Sequence, residues 1–275
     1  MDRSSIGALI AGRLRAASPE AAEAYAQSGP IGYFVVDELL PPDLAARIAS
    51  AFPDRDALVE KNTARERKFV SSQMDRHASL VEEALFAFQA PQVLAAVQAI
   101  VARDDLRADP MLYAGGVSRM EAGGYLNPHI DNSHDKERRR WRALNLLYYV
   151  SPGWRAHYGG NLELWPNGVR DAAVTVESRF NRLVVMATHQ RSWHSVSPIH
   201  ADRPRNCISN YYFADQPMRE DQPFHVTSFR GRPEQPATDL VLRADAGLRG
   251  LIRRIKPGGA FKTGHWYEKK DAGQN

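Results

Sequence analysis

The sequence predicts a mainly β fold with flanking helices, in which N-terminal helices support a β core of two sheets. Three observations lead to this prediction. Helical apolar patterns occupy most of residues 1–104, whereas short apolar and aromatic runs alternate with turn residues over 105–215. Two of these runs, 142–150 and 206–213, are apolar enough to be central strands. Short strands separated by turn signals are typical of a double-sheet barrel or sandwich.

The N-terminal part is expected to form several helices and one strand. Apolar residues recur at helical spacing within 4–28, and Ser18 followed by Pro19 predicts a second short helix with Ser18 as its N-terminal cap. The other elements predicted before residue 104 are a strand at 32–37, a helix from Pro42 to about Ala51, and one or two helices over 78–103 with a break near Pro91.

The β core is expected to contain eight strands. They are predicted near 111–120, 124–131, 142–150, 161–165, 173–177, 182–187, 193–198 and 205–213. Beyond residue 214, four prolines indicate an extended segment, followed by a short helix at roughly 237–255 and a basic, glycine-containing tail. We therefore expect one domain over residues 1–275. Its parts are helical support (1–104), β core (105–215) and C-terminal extension (216–275).

The composition excludes several classes of protein. The formal net charge of +4 is spread along the chain, and basic and aromatic residues are not interleaved as a nucleic-acid groove requires. The single cysteine, Cys207, excludes an internal disulfide and a cysteine metal cluster. Neither a secretory h-region nor an apolar stretch of membrane-spanning length occurs, so no membrane association and a cytoplasmic location are expected.

A His-x-Asp pair carries the strongest chemical signal. His129 and Asp131 lie two residues apart on a predicted strand and therefore point to the same side. A second histidine from a distant strand would complete the two-His-one-carboxylate face that holds Fe(II) and leaves coordination positions open. His194 is the best candidate, because it lies in a strand after the apolar run 183–187. Four other histidines fall in a helical region, loops or a turn: His77, His134, His157 and His189.

Taken alone, each of these residues has an ordinary structural explanation, since a His-x-Asp pair occurs often by chance. The ordered series of motifs around them is more specific. In chain order it comprises Gly123-Gly124-Tyr125 before the His-x-Asp strand, Leu144 to Val150 leading to Ser151-Pro152-Gly153-Trp154, Gly159-Gly160-Asn161-Leu162, Arg182 to Met186, His194-Ser195-Val196-Ser197-Pro198, and Arg205 to Phe213 ending in Tyr-Tyr-Phe. With these motifs, the segment from about 111 to 213 resembles the 2-oxoglutarate/Fe(II)-dependent dioxygenases, and within them the prolyl 4-hydroxylase-like group.

The resemblance implies a double-stranded β-helix (jelly roll) core and an iron ion bound by His129, Asp131 and His194. It also implies a basic residue that pairs with the far carboxylate of 2-oxoglutarate. Arginine suits this role because its planar fork holds a carboxylate through two bonds. Of the two candidates, Arg203 lies in a turn before a proline, whereas Arg205 lies on the strand. We therefore select Arg205, on one strand face with Cys207, Ser209 and Tyr211.

Three further residues are candidates for this pocket. The resemblance turns the strand face of Asn145, Leu147 and Tyr149 toward the co-substrate. Tyr149 is then either a hydroxyl donor to the far carboxylate or an aromatic core residue, and Ser209 would assist Arg205. Arg119, ten residues before His129, matches a position where some relatives have a pocket residue.

The implied activity is 2-oxoglutarate- and O₂-dependent hydroxylation of a C–H bond, with release of succinate and CO₂ and with ascorbate as a reductant. The carboxylate of Asp131 favours hydroxylation over halogenation, for which relatives lack that ligand. The substrate is an amino acid, a peptidyl residue or a small metabolite. The segments expected to select it are Asn132–Trp141, Asp54–Asp75 and the C-terminal extension.

Two other classes of function fit part of the sequence. A cupin-like metal enzyme would use the same ligands without 2-oxoglutarate, and would give Arg205 no role. A non-catalytic jelly-roll binding module would make the His–Asp–His set accidental. Succinate formation separates the first from an oxygenase, and failure to bind Fe(II) or Mn(II) would favour the second. Nucleic-acid demethylation by the same iron chemistry is a third hypothesis, and the oligomeric state stays open.

Overall fold

The computed structural model describes residues 1–255 and 266–268. Most of the predicted basic tail lies outside the described residues. The helices are α1 (Arg3–Ala16), α2 (Ser18–Gln27), α3 (Pro42–Ser50), α4 (Ser79–Ala87), α5 (Pro91–Val101) and α6 (Pro236–Ile255). The strands are β1 (Tyr33–Val36), β2 (Val59–Asn62), β3 (Glu66–Ser71), β4 (Leu106–Ala108), β5 (Gly116–Met120), β6 (Tyr125–Ile130), β7 (Trp141–Tyr149), β8 (Leu162–Leu164), β9 (Val174–Val176), β10 (Arg182–Ala187), β11 (His194–Val196), β12 (Arg205–Ala214) and β13 (Ser228–Phe229).

The strands form an antiparallel half-barrel with two halves. One half has the order β1-β10-β7-β12-β5, and the other has the order β3-β6-β11-β8-β9. Strand β3 joins them, because on the edge opposite to β2 its residues 69–71 pair antiparallel with β5 and its residues 66–67 pair with β6. Each of the eight strands predicted between 111 and 213 is present, which confirms the predicted β core with flanking helices. That the whole chain is one domain stays a prediction.

The helices cover the outer face of the half that contains β7 and β12. Successive residues of a strand point to opposite faces, so β7 sends Leu144, Leu146 and Tyr148 outward into the helical core and Asn145 and Leu147 inward. Large side chains of α1, α4 and α5 are buried against this outer face. Each such side chain contributes about 1.5–3 kcal/mol to folding. In the described part of the chain no single helix is long and apolar enough to span a membrane, although α4 and α5 together pass by length and composition as a pair bent by 42°.

Four strands, β2, β3, β4 and β13, have no signature in the sequence. Strand β2 is exposed along its whole length and reads Val-Glu-Lys-Asn, without an apolar alternation. It forms because β3 offers it a hydrogen-bonding edge, with Val59 opposite Val70 and Asn62 opposite Arg67. Strand β13 is similarly short and pairs with β6, while β4 pairs with β12. Backbone pairing with a partner, which local pattern does not reveal, decides these elements.

Two local expectations need correction. Ser18 is the first residue of α2 rather than its cap: the cap position is Ala17, with helical dihedral angles and no side-chain bond. Residues 111–115 are not part of β5, because the Asp109 carboxylate accepts the backbone N–H groups of Met111 and Tyr113 and forms a turn there. The predicted C-terminal helix is confirmed as α6, whose bounds differ from the predicted ones by one residue.

Asn181 ties the entry of β10 to the N-terminal part of the chain. Its backbone has a φ of 62°, which its short polar side chain tolerates. The side-chain amide donates to Leu40 O (2.7 Å), and its oxygen accepts from Leu40 N–H (3.1 Å) and from the buried Tyr148 hydroxyl (2.8 Å). One side chain therefore satisfies three buried polar groups, two on Leu40 and one on Tyr148, and both residues are distant from it in sequence.

Asn181→Ala is expected to lower the free energy of unfolding by about 3 kcal/mol, because three buried bonds are lost and alanine is strained at positive φ. Asn181→Gly loses the same bonds without that strain and should be about 1 kcal/mol less damaging. Urea unfolding of both variants checks this, with the exposed Asn167→Ala as control. Wild-type stability in Asn181→Ala would contradict the assigned role.

His189 holds the turn between β10 and β11 in its neutral form. Its Nε2 faces Ile31 O at 3.1 Å, and its Nδ1 accepts the Arg191 backbone N–H at 3.1 Å. Nε2 must therefore carry the proton. Burial, partly opposed by the bond to Ile31 O, lowers the pKa of His189 from its usual 6.5 to about 4.

Because the folded pKa lies below the unfolded one, His189 stabilises the fold fully above about pH 6.5, and this contribution is lost as the pH falls toward about 4. Acidification from about pH 7.5 to about pH 5 should lower the free energy of unfolding by about 2 kcal/mol through this residue alone. Urea unfolding of metal-free protein at both pH values measures it. His189→Gln should reduce the pH dependence by that amount, whereas the exposed His157→Gln should not. If the free energy of unfolding of His189→Gln fell with pH as steeply as that of the wild type, the assignment would be contradicted.

Candidate active site: a metal triad and a two-ended cavity

Three buried metal-ligating side chains converge where β6 meets β11. His129 and His194 are directly paired residues of these antiparallel strands, and Asp131 follows β6 immediately. The Nε2 atoms of His129 and His194 lie 3.6 Å and 3.8 Å from the two carboxylate oxygens of Asp131. The structure thus brings the three predicted ligands together, with one ligand atom of each within 4.8 Å of the others.

Backbone carbonyls orient both imidazole rings. The Nδ1 of His129 donates to Asn127 O at 3.0 Å, and that of His194 donates to Ser192 O at 3.0 Å. These bonds assign the proton to Nδ1 and leave the Nε2 lone pairs directed at the shared space. Phe229 of β13 stacks on the His129 ring at 5.0 Å between centroids and helps to hold it in place.

The protonation states suit metal binding. Burial, reinforced by the nearby His194, lowers the pKa of His129 from 6.5 to about 3. For Asp131, burial acts to raise the pKa, but His194, Arg142 and His129 outweigh it and hold the pKa below its usual value. The His129 imidazole is therefore neutral and the Asp131 carboxylate ionised at neutral pH. Metal ligands must have these forms.

These residues fit a divalent iron ion. The Asp131 Oδ2 is fully buried and has no well-aligned hydrogen bond from a described residue. A buried carboxylate without a partner is costly unless it is paired or coordinates a metal. Two imidazoles and one carboxylate are the donor set of non-haem Fe(II) sites with open positions. The fit rests on the donor set and on this unsatisfied oxygen.

A cavity of about 310 Å³ extends from the triad, and Arg205 lies in its wall. Arg205 is only 3% exposed, and it forms no ion pair with a carboxylate of the described residues. Its Nε donates a long bond (3.4 Å) to Ser178 Oγ, and its stem packs against the Gly159-Gly160 turn, where a side chain at Gly160 would meet Arg205 Cγ at 3.4 Å. A buried guanidinium without an acid provides a site for an anion.

The other predicted co-substrate residues lie around Arg205. Cys207, Ser209 and Tyr211 line the same cavity, as the alternation along β12 predicts. Ser209 Oγ donates to Gly116 O at 3.2 Å, so this hydroxyl already has a partner. Tyr149 lies behind the wall: the Arg205 guanidinium is 4.7 Å from its ring centroid, and its buried hydroxyl has no well-aligned bond to a described residue. Burial raises the pKa of Tyr149 to about 12, so it is a donor.

Two arginines considered from the sequence lie elsewhere. Arg203 is exposed and donates to Pro152 O at 2.7 Å, away from the cavity. Arg119 does not line the cavity either, because it pairs with Glu121 at 3.1 Å and with Asp54 at 3.7 Å. Its two acidic partners account for its charge, so the position gives no support to a role in the pocket.

Several cavity residues were missed by sequence reasoning. The hairpin of β2 and β3 contributes Lys61, Glu66 and Lys68, and the C-terminal extension contributes Thr227 and Phe229. Both segments were expected to select substrate, yet no individual residue could be chosen, because their strands form only by pairing with β5 and β6. Arg142 was missed as well, because strict alternation along β7 predicts that its side chain points away from the cavity.

Known proteins match this chain over its β core. The family described as the 2OG-Fe(II) oxygenase superfamily matches residues 115–213. Egl nine homolog 1 of Rattus norvegicus is 33% identical over 98 residues, which cover 35% of this chain and 27% of that protein. The chain thus matches about a quarter of this relative's length.

Solved structures agree in fold. A Pseudomonas putida prolyl-4-hydroxylase superimposes with a TM-score of 0.54 at 21% identity, covering 74% of this chain and 99% of the other. A prolyl hydroxylase from Trichoplax adhaerens, in complex with a hypoxia inducible factor oxygen degradation domain peptide fragment, has a TM-score of 0.53 at 17% identity, covering 74% and 92%. At such identities the likeness shows the jelly-roll fold. Together, the matched core, the converged triad and this fold support a 2OG-Fe(II) oxygenase domain over residues 115–213, similar to the prolyl-4-hydroxylase-like group.

Proposed function

We propose that this protein hydroxylates a C–H bond of an amino-acid, peptidyl or small-metabolite substrate, with 2-oxoglutarate and O₂ as co-substrates and succinate and CO₂ as co-products. The observation that carries the proposal is the pairing of two features in one cavity. The His129–Asp131–His194 triad lies in its wall, and the buried, acid-free Arg205 lies in the same wall. A cupin-like enzyme without 2-oxoglutarate would leave that buried guanidinium without a purpose, and a binding module would leave the triad without one.

The roles of the residues follow from their positions. His129, Asp131 and His194 would hold Fe(II), which supplies O₂ activation and C–H oxidation when it is bound. Arg205 would bind the far carboxylate of 2-oxoglutarate through its fork, with Ser178 fixing the Nε side and Tyr149 supporting the guanidinium with its ring. This interaction would orient the co-substrate's other end toward the triad.

The walls protect the reaction from water. Leu126, Leu162 and Val196 line the cavity beside the triad, and Phe229 covers the His129 ring. An apolar wall excludes solvent and strengthens the electrostatic contacts inside it. No side-chain nucleophile is needed. Cys207, whose pKa burial raises to about 11, is correspondingly a buried neutral thiol.

His129→Ala and Asp131→Ala are expected to abolish succinate formation, since each removes one of three metal ligands. The direct measurement is anaerobic titration of Fe(II) and then 2-oxoglutarate into apo-protein, followed by visible absorbance. Wild-type protein should develop the weak charge-transfer band of a chelated 2-oxo acid, and both variants should lack it.

Circular dichroism should show that the folds of both variants are retained, because neither residue belongs to the hydrophobic core clusters. Succinate formation at the wild-type rate in either variant would contradict the metal assignment. Iron binding without the band in wild-type protein would favour the cupin-like alternative.

Arg205→Gln is expected to raise the 2-oxoglutarate concentration for half-saturation by about 30-fold, as loss of a charge-assisted contact of about 2 kcal/mol implies. Titration of the charge-transfer band measures this directly. Arg203→Gln is the matched control, because that side chain lies outside the cavity. If Arg203→Gln weakens 2-oxoglutarate and Arg205→Gln does not, the choice between the two arginines is wrong.

A further inference from the structure

A second buried arginine lines the cavity beside the triad. Arg142 is only 1% exposed, which makes it one of the largest fully buried side chains among the described residues. Its Nη2 donates a single long bond to Tyr113 O at 3.3 Å, and its buried Nε has no partner among the described residues. Like Arg205, it forms no ion pair with a described carboxylate. An unpaired buried charge is costly, so its retention calls for a ligand.

A β-bulge directs Arg142 into the cavity. Strict alternation from Asn145 and Leu147 would send Arg142 to the outer, helix-covered face. The pairing of β7 with β12 shifts, however: Asn145 lies opposite Tyr211 and Arg142 opposite Phe213, so three residues of β7 oppose two of β12 at this point. Such a bulge turns the following side chain to the other face, and bulges of this kind recur beside active sites.

Three aromatic rings surround the Arg142 guanidinium. Its Cζ lies 3.9 Å from the Tyr211 ring centroid, and 5.5 Å and 5.6 Å from those of Tyr113 and Phe213. Aromatic rings near a guanidinium stabilise its charge without supplying an anion. The guanidinium therefore stays suited to a planar acceptor such as a carboxylate.

The acids closest to Arg142 already have other partners. The Asp109 carboxylate accepts the backbone N–H groups of Met111 and Tyr113, and Asp131 belongs to the metal triad. With a divalent ion in the triad, Asp131, dianionic 2-oxoglutarate and Arg205 together balance that ion's charge. Among the described residues, the charge of Arg142 is then offset only by Asp109, whose carboxylate is held by the two backbone N–H groups. At the mouth, Glu66 is paired with Lys68 at 2.9 Å, so it does not supply the missing anion.

Asn145 adds an acceptor next to this cation. Its Nδ2 faces the Tyr211 hydroxyl at 3.3 Å, whereas its Oδ1 is buried without a partner among the described residues. Both Asn145 and Arg142 line the cavity. The two unsatisfied groups therefore match a ligand with a carboxylate and an adjacent N–H or O–H donor.

From this arrangement we infer that Arg142 and Asn145 form the substrate subsite, and that the substrate is a small free monocarboxylate of the α-amino-acid kind rather than an internal residue of a peptide. This inference rests on the proposed oxygenase function and specifies its substrate class. The cavity, at about 310 Å³, lies at the small end of ligand sites and has to hold the co-substrate as well. A carboxylate buried on Arg142 would be a free end, which an internal peptide residue does not have.

The test uses Mn(II) in place of Fe(II), with 2-oxoglutarate saturating, so that ligand binding is read without turnover. The probes are free amino acids and simple monocarboxylates, including acetate and benzoate, each measured beside its own primary amide. Paramagnetic broadening of the probe's proton NMR signals reports binding near the metal. We expect at least one acid to be broadened at concentrations about tenfold lower than its amide. No acid preferred over its amide would overturn the inference.

Variants assign any such preference to Arg142. Arg142→Gln should abolish the preference for the acid, and Arg142→Lys should retain part of it because the charge remains. Arg119→Gln, a paired arginine outside the cavity, is the control and should behave as wild type. If both Arg142 variants bind the acid as wild type does, the subsite lies elsewhere and the inference is wrong. If Arg142→Gln fails to fold, the acid-to-amide comparison in wild type and Arg142→Lys still decides.

The charge-transfer band with Fe(II) and 2-oxoglutarate is measured on the same wild-type preparation. Absence of the band contradicts the proposed function itself. Presence of the band together with equal binding of acids and amides contradicts only the substrate class. A capped peptide serves as a further probe. If its proton signals are broadened more than those of every free acid, the inference is overturned and a peptidyl substrate is favoured.

Discussion

The antiparallel pairing of β6 with β11 is the constraint on which the site depends. It sets His129 directly opposite His194, and Asp131 follows immediately after β6. Two short strands thereby bring together residues 65 positions apart, at the separation that one metal ion needs. The backbone carbonyls of Asn127 and Ser192 then orient the rings. Strand pairing positions the ligands with the precision that coordination requires, because strands move less than loops.

The two faces of the half that contains β7 and β12 have different roles: one packs against the helices and the other lines the cavity. Outward residues of β7 and β12, such as Tyr148 and Tyr212, are buried under the helices and supply the apolar core. Inward residues, such as Arg142 and Asn145, are buried around the cavity and carry unsatisfied polar groups. The stability of the outer face offsets the cost of desolvating the inner one.

Two buried arginines line the cavity. Arg205 lies beside the Gly159-Gly160 turn, and Arg142 lies against the Tyr211 ring. The C-terminal extension adds Phe229 against the His129 ring, and Arg232 holds this extension by pairing with Glu163 at 2.8 Å and donating to Val196 O at 2.8 Å. Segments remote in sequence thus complete a wall that the eight core strands leave open.

The sequence by itself determined the β core, the helices around it, the triad and the choice of Arg205, because period-two alternation and motif order are local properties of the chain. Only the tertiary structure decided the rest. Strands β2 and β13 form through partners that their own residues do not specify, and a bulge in β7 turns Arg142 against the alternation. Likewise, Arg119 does not line the cavity, and it forms ion pairs with Asp54 and Glu121 instead. Pairing edges, bulges and charge partners depend on distant chain segments, and local pattern does not record them.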